Sequence, residues 1–276
     1  MVMLRKTLQC SREVYRIMEI VIFCGGAGTR LREETESRPK PMVHIGKRPI
    51  LWHIMKTYAH FGHQDFILAL GYRGEMIKNY FCHYELMNND VTIELGKPEN
   101  VCIHHNHEEA GWRITLADTG EKSLKGSRLK KVEKFIKGDT FMATYGDGLS
   151  DVNIHALLDF HQRHGKLVTV TGVLRPPSYF GELKIEGDRV EEFFEKPRMP
   201  GFINGGYYVF NRRIFDYLNE ADNCDLEYGP LEQIVKEGQL MVYKHTGFWS
   251  CMDTLRDLQK LEKFWNEGKA GWRVWL

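Results

Sequence analysis

Residues 20 to 31 read Ile-Val-Ile-Phe-Cys-Gly-Gly-Ala-Gly-Thr-Arg-Leu. The first five are apolar and rich in β-branched side chains, which predicts a central strand of a parallel sheet. Gly25, Gly26 and Gly28 follow at the carboxyl end of this strand. Because glycine has no Cβ, its backbone N–H group can approach a phosphate closely, and Arg30 can add positive charge. The stretch therefore predicts a phosphate-binding loop in an α/β fold.

Two common nucleotide-binding loops differ from this one. A dinucleotide-binding loop has a third glycine or an alanine at the position of Leu31, and an acidic residue about 20 positions later. A Walker loop ends in Gly-Lys followed by Ser or Thr, whereas this loop ends in Gly28-Thr29-Arg30. The sequence therefore favours neither a dehydrogenase nor a P-loop enzyme. An ordinary glycine-rich turn between a strand and a helix stays as the alternative.

A lysine lies between two prolines shortly after the loop, in the segment Arg38-Pro39-Lys40-Pro41-Met42. Proline fixes its own φ and restricts the residue before it, so the direction of the Lys40 side chain is constrained. Lys40 and Arg30 together can supply the positive charge that a polyphosphate requires. The alternative is a solvated surface lysine, which is the usual environment of this residue type.

The charge balance argues against a general attraction for nucleic acid. The 276 residues carry 38 Lys and Arg against 37 Asp and Glu, a formal net charge of +1, so local groups must bind any anion. No apolar run approaches the ~18 residues that span a bilayer. The six cysteines are scattered without a Cys-x-x-Cys pair. These features predict a cytoplasmic protein with neither a nucleic acid nor a membrane as a partner.

Cys102, His104, His105 and His107 lie close together in the sequence. They could hold a zinc ion, but alternation along a strand would direct their side chains to opposite faces. A solvent-exposed hairpin without a metal ion is the favoured interpretation.

The rhythm of apolar residues predicts alternating strands and helices. Strands are expected over residues 65–70, 113–118 and 140–145, and helices over 50–61, 76–84 and 129–136. Shorter strands follow over residues 168–174, 183–185, 190–194 and 207–210, with a last helix over 255–264. We therefore expect an α/β fold with a Rossmann-like mixed, mostly parallel sheet flanked by helices, and a smaller β-rich layer for a second substrate.

The chain contains no internal repeat and no low-complexity linker. Residues 18–276 are therefore expected to form one domain, with a nucleotide-binding part at about 18–150 and a second part at about 151–276. Residues 1–17 stand outside this pattern and form an N-terminal extension.

Two aspartates far apart in the sequence are candidate metal ligands. Asp147 follows the apolar run 140–145 and thus lies at the carboxyl end of a strand, where open sheets bind ligands. Asp253 lies just before the last predicted helix. It could bind a metal ion together with Asp147, or it could cap that helix.

The pattern Gly-Gly-x-Gly-Thr-Arg-Leu, followed by Pro-Lys-Pro-Met and a late Trp-x-x-Met-Asp-Thr, resembles the signature of the sugar-1-phosphate nucleotidyltransferases. The resemblance implies that Asp147 and Asp253 hold a Mg²⁺ cofactor. It implies that Lys40 contacts the triphosphate and Arg30 the leaving pyrophosphate, so that the catalytic residues are Arg30, Lys40 and Asp147. The nucleotide-binding residues implied for this part of the chain are Cys24, Gly25, Gly26, Gly28, Thr29, Arg30 and Lys40.

Three further segments resemble the sugar-phosphate pocket of the same family. In Glu195-Lys196-Pro197, the resemblance implies that Lys196 binds the phosphate of the sugar and that Glu195 binds its hydroxyl groups. The other two segments are Phe180-Gly181 and Asn204-Gly205. Their glycines would let a sugar ring approach the backbone. Glu-Lys-Pro alone is also common where a strand ends.

The segment from residue 118 to 129 is similar to the Asp-Thr-Gly and Gly-x-Arg-Leu elements of one subgroup, the glucose-1-phosphate cytidylyltransferases. This resemblance implies that Thr119, Gly120 and Arg128 bind the nucleotide, with the Arg128 guanidinium contacting cytosine or a phosphate. It extends from Met18 to the end of the chain. Cys24 is a departure, since the family usually has alanine there.

The resemblance to this subgroup implies a reaction. A cytidylyl group would pass from CTP to α-D-glucose 1-phosphate, giving CDP-glucose and pyrophosphate, in a homo-oligomer that is a hexamer by the same resemblance. Two alternatives remain open: a transferase that uses UTP or dTTP, and a noncatalytic nucleotide-binding regulatory module of the same fold.

Overall fold

Fifteen strands and eight α-helices are present in the residues that the computed structural model describes, which are 17–97, 100–104, 107–176, 181–195 and 201–275. The strands are β1 Glu19–Cys24, β2 His44–Ile45, β3 Arg48–Pro49, β4 Asp65–Leu70, β5 Asp90–Ile93, β6 Val101–His104, β7 Arg113–Asp118, β8 Thr140–Tyr145, β9 Gly148–Ser150, β10 Val168–Leu174, β11 Glu182–Glu186, β12 Arg189–Phe194, β13 Phe202–Asn211, β14 Leu240–His245 and β15 Trp249–Cys251. The helices are α1 Arg32–Thr35, α2 Ile50–His60, α3 Gly74–Cys82, α4 Tyr84–Asn88, α5 Lys125–Lys131, α6 Ile154–His164, α7 Glu232–Lys236 and α8 Leu255–Asn266.

The central sheet has seven of the described strands, in the order β14-β10-β13-β8-β1-β4-β7. β1 is parallel to both β4 and β8, β4 is parallel to β7, and β10 is parallel to β14. Within this sheet β13 is antiparallel to both of its neighbours. The mixed, mostly parallel sheet that the sequence predicts is confirmed, and β4, β7 and β8 have the predicted bounds.

The central position of β1 follows from its side chains. All six of its residues are buried. Ile20, Ile22 and Cys24 belong to one hydrophobic core, and Val21 and Phe23 belong to a second core on the other face. Since successive side chains of a strand point to opposite faces, a strand with apolar side chains on both, as in residues 20–24, requires cover on both. Helices α2, α6 and α8 supply residues to the first core, and α5 and α7 supply residues to the second.

The strands predicted as a separate layer for the second substrate divide into two groups. β10 and β13 continue the central sheet, together with β14, which was not predicted, whereas β11 and β12 form a separate two-stranded ribbon. The strands β9 and β15, also not predicted, form another ribbon among the described residues. The strand that crosses from one half to the other is β13, which pairs with β8. The two halves of the chain therefore share one sheet, and the described β-rich addition to it is small.

The helix predicted over residues 129–136 is wrong in its bounds. Helix α5 ends at Lys131 and a short 3-10 turn, Glu133–Phe135, follows it. Leu129, Val132 and Ile136 are all buried in the second core, and their spacing produced the helical pattern. A helix followed by a tight turn buries these three side chains equally well, so the periodicity alone could not locate the helix end.

The histidine-rich segment forms the hairpin that the sequence favoured. His104 ends β6, which pairs with β5, and its Nε2 lies 3.1 Å from Thr92 Oγ1. His107 contacts Glu85 and Glu109 instead, at 2.9 and 3.2 Å. His105 lies outside the described residues. In the described ranges no three His, Cys, Asp or Glu side chains converge as a metal site would require.

Two expectations drawn from composition can be compared with the fold. No helix within the described residues has the length and apolar character needed to cross a bilayer. The cysteines of the described ranges, which leave out Cys10, are all free thiols. Scattered free thiols are what the spacing of the cysteines indicated.

Candidate active site

A cavity of about 490 Å³ opens at the carboxyl ends of β1 and β8, the place where open α/β sheets bind ligands. Its lining includes glycines and charged side chains from both halves of the chain. The predicted site residues among them are Cys24, Gly25, Gly26, Gly28, Thr29, Arg30, Lys40, Arg128, Asp147, Asn204, Gly205 and Asp253. The cavity is large enough for a nucleotide, since ligand pockets typically measure roughly 300–1,000 Å³.

A two-stranded ribbon brings the two aspartates together. β8 ends at Tyr145, Asp147 follows, and β9 then pairs antiparallel with β15 so that Gly148 lies opposite Cys251. The amide N–H of Met252 donates a hydrogen bond to the carbonyl oxygen of Asp147, at 2.9 Å. The residues that flank this pairing, Asp147 and Asp253, are thereby placed side by side although the chain separates them widely.

Lys40 lies between the two carboxylates. Its Nζ is 2.7 Å from Asp147 Oδ2 and 2.6 Å from Asp253 Oδ1, and only 10% of its side chain is exposed. Burial acts to lower the pKa of Lys40, but the charges and hydrogen bonds of Asp147 and Asp253 outweigh it and raise the pKa. Burial acts to raise the pKa of Asp253, but its contacts with Lys40 and Arg30 lower it. The centre is therefore a charged triad whose ammonium group balances two acids.

The alternative role of Asp253 as a helix cap is wrong. The residue that caps α8 is Thr254, whose side chain accepts a hydrogen bond from the N–H of Asp257 while the Asp257 carboxylate bonds back to Thr254. This reciprocal pair is a capping box and satisfies the first turn. The carboxylate of Asp253 is thus left for Lys40 and Arg30.

Arg30 is the more exposed of the two predicted cations. Its Nη1 lies 2.9 Å from Asp253 Oδ2, and 73% of its side chain is exposed. Exposed ion pairs of this kind contribute at most about 1 kcal/mol. Arg30 can therefore exchange its carboxylate for a phosphate at little cost, as the predicted role requires.

Arg128 is hydrogen-bonded to the backbone of the glycine loop and of the segments beside it. Its two terminal nitrogens donate hydrogen bonds to Leu70 O, Gly25 O and Thr119 Oγ1 at 2.7 to 3.0 Å, and to two further carbonyl oxygens, those of Gly120 and Glu121. A Cβ on Gly25 would lie 2.1 Å from the Arg128 guanidinium. The packing of Arg128 therefore requires a glycine at position 25, whether or not a ligand contacts this residue. The contact of the Arg128 guanidinium with cytosine or a phosphate stays a prediction.

The other two glycines of the loop have different surroundings. A Cβ on Gly26 would meet no atom within 4 Å, so this residue faces open space at the cavity. Gly28 has φ of +63°, in the left-handed region, and a Cβ there would lie 2.9 Å from Thr35 Cγ2 and 3.2 Å from Lys40 Cβ. Gly26 is therefore the position where a phosphate can approach the backbone, whereas Gly28 turns the chain toward Lys40.

Thr119 and Gly120, the other predicted nucleotide-binding residues, support the cavity wall from behind. Thr119 is buried, and its hydroxyl donates to Leu70 O. Neither residue lines the cavity itself, where Ser123, Leu124 and Lys125 take this place. These three residues were not predicted, although they lie inside the segment 118–129 that resembles the cytidylyltransferases.

The predicted sugar-phosphate residues are not all in one place. Asn204 and Gly205 line the cavity, whereas Gly181 and Glu195, at the ends of the β11–β12 ribbon, do not. A Cβ on Gly181 would lie 3.2 Å from Glu195 Oε2, so these two residues are neighbours. Phe180 and Lys196 lie outside the described residues.

Gly205 owes its lack of a side chain to packing. A Cβ there would lie 2.6 Å from Val173 Cγ1 and 3.0 Å from Thr171 O on the neighbouring strand β10. Its carbonyl oxygen accepts a hydrogen bond from Trp249 Nε1 at 2.9 Å, and Trp249 itself lines the cavity. The glycine thus allows β13 to approach β10 closely, and the indole of Trp249 packs over Gly205.

Tyr145, Tyr208 and Glu227, which were not predicted, form a polar cluster with the predicted residue Asn204 at this end of the cavity. The hydroxyl of Tyr145 contacts Tyr208, Asn204 and Glu227, and Tyr145 and Asn204 both line the cavity. Tyr145 adjoins the Gly-Asp-Gly motif, which is a signal that could have been used. Glu227 comes from a distant loop and nothing in its sequence neighbourhood marks it.

The two thiols in the cavity wall are unsuited to nucleophilic attack. Burial, with a smaller opposing effect from Arg128, raises the pKa of Cys24 far above its usual value. Burial and the nearby charge of Asp253 raise the pKa of Cys251 to about 12. Since the thiolate is the reactive form, neither Cys24 nor Cys251 is activated.

Comparison with known proteins agrees with this geometry. The family model described as "Nucleotidyl transferase" matches residues 19–268. The chain is 47% identical to the glucose-1-phosphate cytidylyltransferase of Salmonella typhi, over 94% of this chain and 100% of that protein. It is 42% identical to the "Probable glucose-1-phosphate cytidylyltransferase" of Bacillus subtilis, with the same coverage of both chains.

Among solved structures, HddC from Yersinia pseudotuberculosis superposes with a TM-score of 0.65 at 22% identity, over 90% of this chain and 100% of that chain. At that identity the superposition establishes the shared fold. The match of the family model to most of the chain, and the high identity to full-length relatives, establish more than the fold. The chain belongs to the nucleotidyl transferase family.

Proposed function

We propose that this protein transfers a cytidylyl group from CTP to α-D-glucose 1-phosphate and releases CDP-glucose and pyrophosphate. The observation that carries the proposal is the meeting of Lys40, Asp147 and Asp253 beside the glycine loop, at 2.6 and 2.7 Å. The names of the full-length relatives in Salmonella typhi and Bacillus subtilis support the choice of CTP and glucose 1-phosphate.

The reaction joins two anions, so charge must be offset before bonds change. A phosphate oxygen of the sugar phosphate attacks the α-phosphorus of CTP, and the bond from that phosphorus to the pyrophosphate oxygen breaks in line. Negative charge builds up on the leaving pyrophosphate, and Arg30, at the loop beside Gly28, is placed to receive it. The transfer then needs positioning and electrostatic stabilisation, without a covalent intermediate on the protein.

The donor set fits a magnesium ion. Two carboxylates, Asp147 and Asp253, converge on one positive charge, and carboxylate oxygens together with substrate phosphates are the usual ligands of Mg²⁺. We propose that these two residues hold the ion, which when bound offsets the charge of the reacting phosphates. Lys40 can balance the carboxylates or a phosphate group, and its burial keeps it close to both.

Pyrophosphate release with CTP, UTP, dTTP and GTP, each with glucose 1-phosphate and with Mg²⁺ varied from zero, tests the proposal. We expect turnover with CTP that depends on Mg²⁺, and identification of CDP-glucose as the product. Preference for UTP or dTTP would replace the nucleotide in the proposal and keep the reaction class. No turnover with any triphosphate would favour the noncatalytic regulatory module instead.

Cellular location and assembly belong to the same proposal. A cytoplasmic enzyme would meet CTP and glucose 1-phosphate directly, and the resemblance implies a homo-oligomer. Mass measurement by light scattering at the concentration of the activity assay tests the assembly, and a monomer that is fully active would contradict it.

A further inference from the structure

Tyr145, Tyr208, Asn204 and Glu227 form a connected hydrogen-bond network beside the cavity. The two tyrosine oxygens are 2.9 Å apart, and Asn204 Nδ2 lies 3.1 Å from the Tyr145 oxygen. The network continues from Asn204 Nδ2 to Tyr208 and from the Tyr145 hydroxyl to Glu227 Oε1. Lys125 contacts the same oxygen of Glu227, and its Nζ lies 4.7 Å from the centre of the Tyr145 ring.

The carboxylate fixes the direction of the first hydrogen bond. An ionised carboxylate can only accept, so the Tyr145 hydroxyl must donate its single proton to Glu227. The Tyr145 oxygen can therefore only accept from its other two neighbours, so Tyr208 donates to it.

The same reasoning fixes the side-chain amide of Asn204. Its two neighbours, the oxygens of Tyr145 and Tyr208, have both given their protons away, so the amide must turn its NH₂ group toward them. The N–H of Gly206 then donates to Asn204 Oδ1 at 2.9 Å. One lone pair of this oxygen is left, and Asn204 lines the cavity. Toward a ligand, Asn204 can thus act as an acceptor and not as a donor.

We propose that Glu227 is a positioning residue that fixes the Asn204 amide as a hydrogen-bond acceptor, and that this selects a sugar phosphate with a donor hydroxyl at that place. The inference deepens the proposed function and rests on it, because it takes the Asn204 end of the cavity as the place of the sugar. Lys125 offsets the charge of Glu227, and Glu227 acts on the substrate through Tyr145 and Asn204.

Glu227→Gln tests the proposal, because a glutamine amide can both donate and accept and no longer sets the direction of the network. We expect the KM for glucose 1-phosphate to rise about tenfold, with kcat and the KM for CTP within about twofold of the wild type. A second readout is the series of 2-, 3-, 4- and 6-deoxyglucose 1-phosphates. The wild type should reject the analogue that lacks the recognised hydroxyl, and Glu227→Gln should lose most of that discrimination.

Glu237→Gln is the matched control. Glu237 accepts a hydrogen bond from the Tyr217 hydroxyl on the surface, outside the cavity lining, so the control removes a bond of the same kind. Its kinetic constants should equal those of the wild type. If Glu227→Gln does not fold, as thermal unfolding will report, Tyr145→Phe breaks the same link and should separate the two KM values in the same way.

Different results would overturn the proposed reaction and the positioning role of Glu227. A wild type that makes no CDP-glucose overturns the function, and calorimetric titration of glucose 1-phosphate into wild type and Glu227→Gln then measures the positioning role directly. An unchanged KM or Kd for glucose 1-phosphate in Glu227→Gln, or an equal rise in the KM for CTP, overturns the role of Glu227. A wild type that does not bind glucose 1-phosphate overturns both.

Discussion

The two ends of the cavity use charge in different ways. At the end beside the glycine loop, three charged side chains, Lys40, Asp147 and Asp253, contact one another directly at 2.6 and 2.7 Å. At the other end Tyr145, Tyr208 and Asn204 are neutral, and Glu227 is the one carboxylate among the four members of their network. The first arrangement can offset charge that develops during a reaction, whereas the second can fix the direction of hydrogen bonds.

This difference predicts which kinetic constants respond at each end. Interactions that strengthen as charge develops contribute to kcat, and interactions with an unchanging hydroxyl group contribute mainly to the KM of that substrate. Substitutions of Lys40 or Asp147 should therefore reduce kcat, and substitutions in the Tyr145 network should raise the KM for glucose 1-phosphate. The four predictions that follow test this division, in order of expected effect.

Asp147→Asn should give the largest loss. The substitution preserves size but removes one of the two carboxylates that balance Lys40, and with it half of the proposed Mg²⁺ site. We expect kcat to fall by roughly 10³-fold with a folded protein, as judged by circular dichroism. Asp216→Asn, an exposed position in the 3-10 helix Arg212–Tyr217, is the control and should keep wild-type activity. Near-normal kcat in Asp147→Asn would remove this residue from the mechanism.

Lys40→Met should lower kcat by about a hundredfold and, in the protein without nucleotide, tighten the binding of Mn²⁺. Mn²⁺ should bind more tightly because Asp147 and Asp253 lose the ammonium group that they share. A divalent cation then no longer competes with Lys40 for the two carboxylates. Electron paramagnetic resonance of free Mn²⁺ measures this affinity, for which we expect a gain of about tenfold.

Lys47→Met serves as the control for Lys40→Met, because Lys47 is exposed and lies outside the cavity lining. A lower kcat together with a higher affinity for Mn²⁺ would distinguish Lys40 from a purely structural lysine, whose loss should not tighten metal binding. Unchanged Mn²⁺ affinity in Lys40→Met would contradict the shared use of the two carboxylates.

Gly25→Ala and Gly26→Ala form a pair that separates packing from ligand contact. A Cβ at Gly25 would lie 2.1 Å from the Arg128 guanidinium, whereas a Cβ at Gly26 meets nothing within 4 Å. We expect Gly25→Ala to lower the Tm by several degrees and to raise the KM for CTP about tenfold. Gly26→Ala should leave the Tm unchanged and raise only the KM for CTP. Equal Tm values for the two variants would disprove the clamping role of Arg128.

The charged end of the cavity could be predicted from the sequence because its signals are local. The apolar run of β1 marks a buried strand, the glycines follow it directly, and Asp147 follows β8 at the same edge of the sheet. The sequence did not indicate how Asp253 reaches Asp147, because the three-residue strands β9 and β15 carry no periodicity of their own. Their pairing exists only when the sheet is formed.

The network at the other end could not be predicted for a related reason. Tyr145 and Glu227 are 82 positions apart, and the loop that carries Glu227 is placed by the second core, not by a motif. Gly205 was noticed as a possible contact for a sugar, but its nearest neighbours are Val173 and Thr171. A glycine in a sequence does not reveal whether a ligand or a neighbouring strand requires it.

Substitutions of two adjacent tyrosines on β13 should have the smallest effects, and they compare the two ends of the cavity directly. Tyr207 and Tyr208 are both buried, and they belong to opposite faces of the sheet. The Tyr207 hydroxyl donates to Gly148 O beside Asp147, whereas the Tyr208 hydroxyl joins Asn204 and Tyr145. Tyr207→Phe should lower the free energy of unfolding by about 1 kcal/mol, since one buried hydrogen bond is lost, and Tyr208→Phe by about 2 kcal/mol, since two are lost.

The kinetic effects of Tyr207→Phe and Tyr208→Phe should differ in which constant changes. Tyr208→Phe takes one of two hydroxyl partners from the Asn204 amide, so the KM for glucose 1-phosphate should rise about threefold while kcat holds. Tyr207→Phe loosens the backbone that follows Asp147, so kcat should fall about threefold while that KM holds. A general loss of rigidity would change the same constant in both variants, and that outcome would contradict the division of the cavity into two functional ends.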